Sequence, residues 1–276
     1  MVDITDKSIV IEITANNLRE ILSSEEYSTV PIVTESFTYE DKKKIALYEN
    51  VNNFGSDIAC LFEDLYVELG RIPTQQEYID KGIIVTEKWW INELCRKDSM
   101  LRGLQFEGCI LQAVKNRLGR GYLSRISELY AIALLREIYP DAKIITHDVI
   151  DFILGVDIVM EYKGKRLYFH VYKNSYWADI AFKNKEYRGG MQTSTGQFVK
   201  YRRNFTGDIS LVYDTIESDT TEIINGIPLF REKYIRTTVD RAMKNSAVGE
   251  RVGCMNSKLN KLNNWLFKHF GTFVNF

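Results

Sequence analysis

The stretch SELYAIALLREIYPDAKIITHDVIDFILGVDIVMEYKGKRLYFHVYKNS, residues 127–175, decides the fold. Its first part places Leu129, Ile132 and Leu135 at helical spacing, which predicts a helix from about Ser124 to Tyr139. Pro140 follows and ends the pattern. Before this helix, the glycine-containing run Gly119–Tyr122 predicts a break in the chain.

After Pro140 the period of the apolar residues changes from helical to extended. Residues 143–146 predict a short strand, and residues 156–162 and 166–172 predict two longer ones. A turn that contains Gly164 separates the longer two, so they are expected to form a hairpin. With a further strand at residues 209–213, the sequence predicts an α/β fold in which helices flank a mixed central sheet.

The regions on either side of this core complete the predicted organisation. Residues 1–120 are interpreted as a helical N-terminal region and residues 121–276 as the α/β core with a helical C-terminal tail. In the N-terminal region, Thr74 and Glu77 form a capping box after Gly70, which predicts two helices joined by a tight turn. Such a pair is either an ordinary helical hairpin or a module that contacts DNA or a partner.

The predicted hairpin also brings together residues with side chains that can act in catalysis. Asp157 and His170 are about equally far from the turn, so they are expected to lie close together across the ladder. Glu128 lies near the start of the preceding helix, and Lys173 lies where the last strand ends. Carboxylates hold Mg²⁺, which activates water and stabilises charge in phosphodiester hydrolysis, and a lysine contacts the water or the phosphate. These four residues are therefore the candidate catalytic residues.

The order of these residues resembles the PD-(D/E)XK nuclease superfamily, which includes restriction endonucleases, Holliday-junction resolvases and phage exonucleases. In that pattern a helix glutamate precedes an aspartate at the start of a strand, and (Asp/Glu)-x-Lys follows on the next strand. Glu128, Asp157 and Lys173 match it within residues 127–175. The resemblance implies a restriction-endonuclease-like core that cleaves DNA with Mg²⁺ or Mn²⁺, in a phage, mobile element or restriction system.

One position departs from the family pattern. Val171 stands two residues before Lys173, where the family has an acid, and valine cannot bind a metal. A β-bulge at Tyr172 would bring His170 to that position and give a metal set of Asp157, Glu128 and His170, although imidazole favours Mn²⁺ over Mg²⁺. Two functions follow: a nuclease with an unusual ligand set, or an inactive nuclease-fold protein that binds nucleic acid or a protein partner.

Charge and composition point to the remaining partners. The formal net charge is −1, which excludes a protein that is basic throughout, but residues 183–203 concentrate positive charge. The candidate phosphate contacts there are Lys183, Lys185, Arg188, Arg202 and Arg203. A protein partner or a second copy would bind the N-terminal region or the aromatic tail that ends in Phe276. The sequence has neither a membrane-length apolar run nor a signal peptide pattern, so a cytoplasmic location without membrane contact is expected.

Overall fold

A computed structural model describes most of the chain. The described residues are 11–31, 36–49, 60–89, 105–146, 155–176, 178–180, 182, 190–192, 198–200, 207–245 and 250–251. They fall into two compact units. The first contains the described residues of 1–19, 127–223 and 228–276, and the second contains those of 20–126 and 224–227.

The first unit is built on a mixed sheet. Its strands are β1 (Lys143–Ile145), β2 (Ile158–Tyr162), β3 (Lys165–Lys173) and β6 (Ile209–Tyr213), in the order β1-β2-β3-β6. Neighbours β1, β2 and β3 run antiparallel, whereas β6 runs parallel to β3. The remaining strands are β4 (Gly190–Gln192), β5 (Phe198–Lys200), β7 (Thr221–Ile224), β8 (Ile227–Phe230) and β9 (Glu250–Arg251). The prediction of a mixed α/β fold is therefore confirmed.

The predicted hairpin between β2 and β3 is confirmed. Lys163 and Gly164 both have positive φ angles, 47° and 75°, which is the backbone of a two-residue turn that matches the twist of the flanking strands. This turn sets a register in which Ile158 pairs with Phe169. Both side chains are fully buried, so a slip of one residue would expose them. The register therefore fixes which side chains lie at each end of the sheet.

The helix that precedes the sheet is longer than the sequence predicts. Helix α5 runs without interruption from Gly108 to Ile138, so the predicted break at Gly119–Tyr122 is wrong. Each interior glycine costs a helix about 1 kcal/mol relative to alanine. Tertiary contacts offset that cost, because the Gln75 side chain donates a hydrogen bond to the Gly119 carbonyl over 3.0 Å and Tyr122 is fully buried. The predicted division between residues 120 and 121 stays a prediction.

Two ends of the other helices carry standard capping motifs. Their bounds are α1 (Ala15–Leu22), a 3₁₀ turn (Glu25–Tyr27), α2 (Tyr39–Glu49), α3 (Leu61–Leu69), α4 (Gln75–Trp89) and α6 (Glu232–Lys244). The capping box of α4 is present: the Thr74 amide donates to Glu77 over 2.8 Å, and the Glu77 amide donates to the Thr74 hydroxyl over 3.2 Å. Gly70 ends α3 in the left-handed conformation. The predicted helical C-terminal tail is helical through Lys244, but the prediction is wrong at Glu250–Arg251, which form β9 and pair with β3 because their backbones complete hydrogen bonds at the edge of that strand.

Candidate functional site

Asp157 lies directly before β2 and is bonded to β3 through both its main chain and its side chain. Its amide donates to the Phe169 carbonyl over 3.0 Å. Its Oδ2 accepts the amide hydrogen of Val171 over 2.6 Å, at the point where β2 no longer supplies a carbonyl. The carboxylate is thereby held against β3, two residues before Lys173.

The two faces of β3 separate the candidate residues. Residues Phe169 to Lys173 pair one for one with Ile209 to Tyr213 of β6. A strand so paired alternates its side chains, so Val171 and Lys173 share one face while His170 and Tyr172 share the other. A bulge would leave an extra residue in β3, so the proposed bulge at Tyr172 is wrong. His170 therefore does not replace Val171 beside Lys173.

His170 lies in the interior of the first unit. Its side chain is 1% exposed, and its Nε2 lies 2.8 Å from Oδ2 of Asp208, which is itself 4% exposed. The ring also meets Phe182 edge-on, with 4.7 Å between ring centroids. Phe182 in turn stacks on Tyr172 at 5.1 Å. A carboxylate and an aromatic ring thus surround His170, which makes it a buried hydrogen-bonding residue of the core.

Asp208 is a residue that sequence reasoning missed. It lies directly before β6, as Asp157 lies directly before β2. Both aspartates directly precede an apolar strand, and this pattern is visible in the sequence at both positions. Its partner His170 is 38 residues away, and only the parallel pairing of β3 with β6 brings the two together.

Lys173 and the chain that follows it lie at the same end of the sheet as Asp157. Lys173 is half-buried, is the last residue of β3, and pairs with Tyr213 at the end of β6. The Asn174 amide donates to the Tyr213 carbonyl over 2.7 Å, and its side chain donates to Asp214 over 2.7 Å. Hydrogen bonds from Ser218, Asn174 and Thr220 lower the pKa of Asp214, against an opposing effect of burial. The ends of β3 and β6 thus present a fixed polar surface beside the start of β2.

Glu128, the remaining candidate carboxylate, lies on α5 and is half-buried. It follows Ser127, which is fully buried and donates a 2.8 Å hydrogen bond to the Pro228 carbonyl. This bond fixes the turn of the helix from which Glu128 extends.

The candidate metal ligands can be compared with the number and type of ligands that each metal requires. Within the described ranges, no three His, Cys, Asp or Glu side chains are grouped to hold a metal ion, so Asp157, Glu128 and His170 do not form such a group. Mg²⁺ needs only one or two protein carboxylates because it keeps several waters and binds substrate phosphates. The Asp157 carboxylate fits that requirement. A site that depends on His170 does not fit, because the ring is buried and its Nε2 is engaged by Asp208.

Several predicted contacts lie outside the described residues. They are the basic side chains Lys183, Lys185, Arg188, Arg202 and Arg203, and the aromatic tail beyond residue 251. In the sequence the basic residues lie between β3, which ends at Lys173, and β6, which begins at Ile209. Within this connection, β4 and β5 pair antiparallel.

The helical hairpin of the second unit presents no basic surface in its described part. The exposed side chains of α4 are Gln76, Asp80, Ile84, Glu87 and Lys88, which include two acids and one base. Lys81 is paired with Glu68 over 2.8 Å. This mixed charge suits a polar protein surface better than a contact with phosphates.

Comparisons with models of protein families, with curated proteins and with solved structures found no significant match. None of the described helices is long and apolar enough to cross a membrane.

Proposed function

We propose that this chain is a magnesium-dependent nuclease with a restriction-endonuclease-like core, and that its site is the sheet end formed by Asp157 and Lys173. The observation that carries the proposal is the 2.6 Å bond from the Val171 amide to Asp157, which holds the carboxylate on the strand that ends in Lys173. Glu128 on α5, Asp157 directly before β2 and Lys173 at the end of β3 occur in the order of the family pattern, which supports the proposal.

Each residue has a role that its position supports. Asp157 and Glu128 are the carboxylates that would hold Mg²⁺, which when bound stabilises negative charge on the phosphate and activates water. Lys173, half-buried at the end of β3, donates hydrogen bonds to a phosphate oxygen or to the attacking water. Val171 provides no ligand, so more of the coordination sphere would be water, and weak metal affinity is expected.

The basic connection supports DNA as the substrate. Its basic residues begin at Lys183, ten residues after Lys173 in the sequence. Lysines and arginines supply the sequence-independent part of DNA affinity by neutralising phosphates. The chain as a whole has a net charge of −1, so binding to DNA would depend on this local concentration of charge.

A cleavage assay with matched variants tests the proposal. Asp157→Asn keeps an oxygen that accepts the Val171 hydrogen bond but removes the charge that holds a cation. We expect the wild type to cut plasmid and linear DNA with Mg²⁺ and not with EDTA, and Asp157→Asn to be at least about 100-fold slower. Asp141→Asn is the control, because Asp141 is exposed and lies just before β1, at the end of the sheet opposite to Asp157. Equal cutting by wild type and Asp157→Asn would contradict the assigned site.

A second function is favoured by one specific observation. Val171, at the place of the family's second acid, is apolar and only 8% exposed, so no carboxylate of β3 can complete a metal site there. The same core would then bind nucleic acid, or a protein partner, without cutting. Wild-type protein that binds labelled DNA in a mobility-shift assay, yet leaves it intact with Mg²⁺ and with Mn²⁺, would establish this function in place of the first.

A further inference from the structure

The turn that follows Lys173 is fixed on both sides. At its start, the Asn174 amide donates to the Tyr213 carbonyl and the Asn174 side chain donates to Asp214, each over 2.7 Å. Further along the turn, the Ser175 hydroxyl accepts the Ala178 amide hydrogen over 3.2 Å. The Ser175 carbonyl accepts the Asp179 amide hydrogen over 3.0 Å. Ser175 therefore starts a helical turn as its capping residue. These bonds hold the backbone of the turn in place relative to the ends of β3 and β6.

Tyr176 is exposed to solvent in this turn. Its side chain is 72% exposed, whereas Tyr172, on the preceding strand, stacks on Phe182 and is half-buried. Single exposed aromatic residues are common on proteins and carry little meaning alone. Tyr176, however, follows Lys173 by three residues, which places their Cα atoms at most about 10 Å apart. A lysine suited to phosphate and an exposed ring are thus within reach of neighbouring nucleotides.

We propose that Tyr176 stacks on an unpaired base beside the scissile phosphate, so that the preferred substrate is a single-stranded nucleic acid or a frayed end. A tyrosine ring can stack on a base only where the face of that base is exposed, which a paired and stacked duplex does not offer. Stacking is tolerant of sequence because every base has such a face. The inference rests on the proposed function for the location of the scissile phosphate.

The chain contains a matched control for this residue. Tyr39 at the start of α2 is 73% exposed and has a lysine near it, with Nζ of Lys43 4.3 Å from the ring centroid. It belongs to the second unit, whereas Tyr176 belongs to the first. Replacing either tyrosine by alanine removes an equally exposed ring. A difference between the two variants therefore reports the location of the ring and not its loss.

The test measures binding separately from cutting. Anisotropy of fluorescently labelled oligonucleotides in EDTA gives the Kd of a short single strand and of the same sequence as a blunt duplex. We expect Tyr176→Ala to raise the single-strand Kd about 5- to 100-fold. Tyr176→Phe should keep the wild-type Kd because it keeps the ring, and Tyr39→Ala should also keep it. The duplex Kd should change little in any variant.

Three results would overturn the inference: equal affinities of Tyr176→Ala and Tyr39→Ala, a loss in Tyr176→Phe as large as in Tyr176→Ala, or no binding by wild type. The outcome is distinct from that of the nuclease proposal. Binding that depends on Tyr176 in a protein that does not cut supports the stacking role and removes the catalytic one. Cutting that is insensitive to Tyr176, with unchanged single-strand affinity, does the reverse.

Discussion

His170 and Lys173 are polar residues three positions apart on one strand, and their surroundings differ. His170 is 1% exposed and bonded to Asp208, whereas Lys173 is half-buried at the strand end near Asp157. A spacing of three places residues on one face of a helix but on opposite faces of a strand. The contrast teaches that residues of catalytic type near each other in sequence need not share a site, because burial and strand period divide them.

The pair of His170 and Asp208 offers the largest effect on stability. Asp208→Ala leaves the buried imidazole without its carboxylate, and we expect the free energy of unfolding to fall by about 3 kcal/mol. The double variant His170→Met/Asp208→Val removes both polar groups and should regain most of that loss, because an apolar pair of similar volume needs no partner. Urea denaturation measures both. A loss below about 0.5 kcal/mol in Asp208→Ala, the range of ordinary surface changes, would mean that the bond contributes little.

Lys173 should show the opposite behaviour, a loss of activity without a loss of stability. Lys173→Met removes a positive charge from the proposed site, so cleavage should slow by about tenfold or more. The free energy of unfolding should change by less than about 0.5 kcal/mol because the side chain is only half-buried. Lys143→Met, at the exposed start of β1, is the control and should cut at the wild-type rate. A Lys173→Met variant that also cuts at the wild-type rate would remove this residue from the site.

Asp214 gives the smallest effect and extends the comparison to pH. Its pKa is lowered in the folded protein, chiefly by hydrogen bonds from Ser218 and Asn174. Its contribution to stability is therefore present above the pKa of the unfolded chain, about 3.9, and is lost as the pH falls through the folded pKa. The difference in unfolding free energy between wild type and Asp214→Asn should shrink from pH 6 to pH 3. A difference that is constant over this range would contradict the hydrogen-bonded, ionised state of Asp214.

The sequence predicts the elements of this fold better than it predicts their contacts. The hairpin and β6 follow from alternating or β-branched residues and from Gly164, which are local signals. The break at Gly119 was predicted from local propensity and is wrong, because the hydrogen bond from Gln75 comes from another helix. Tertiary context overrode propensity at that position.

The candidate site was predictable only in part, for a similar reason. Asp157 and Lys173 could be placed at one sheet end because the turn fixes the hairpin register. The bond between Asp157 and Val171 involves a main-chain amide, which no side-chain pattern reveals. Asp208 could not be linked to His170 because their contact depends on the parallel pairing of β6, which a sequence motif does not specify.

The most direct test of this account compares two folded variants in one Mg²⁺ titration of DNA cleavage. Asp157→Asn removes the proposed cation ligand, and His170→Met/Asp208→Val removes the buried polar pair. We predict that cleavage is lost in the first variant and retained, with unchanged Mg²⁺ dependence, in the second. Loss of cleavage in a stably folded His170→Met/Asp208→Val protein, with activity retained in Asp157→Asn, would contradict the central claim and move the site to His170.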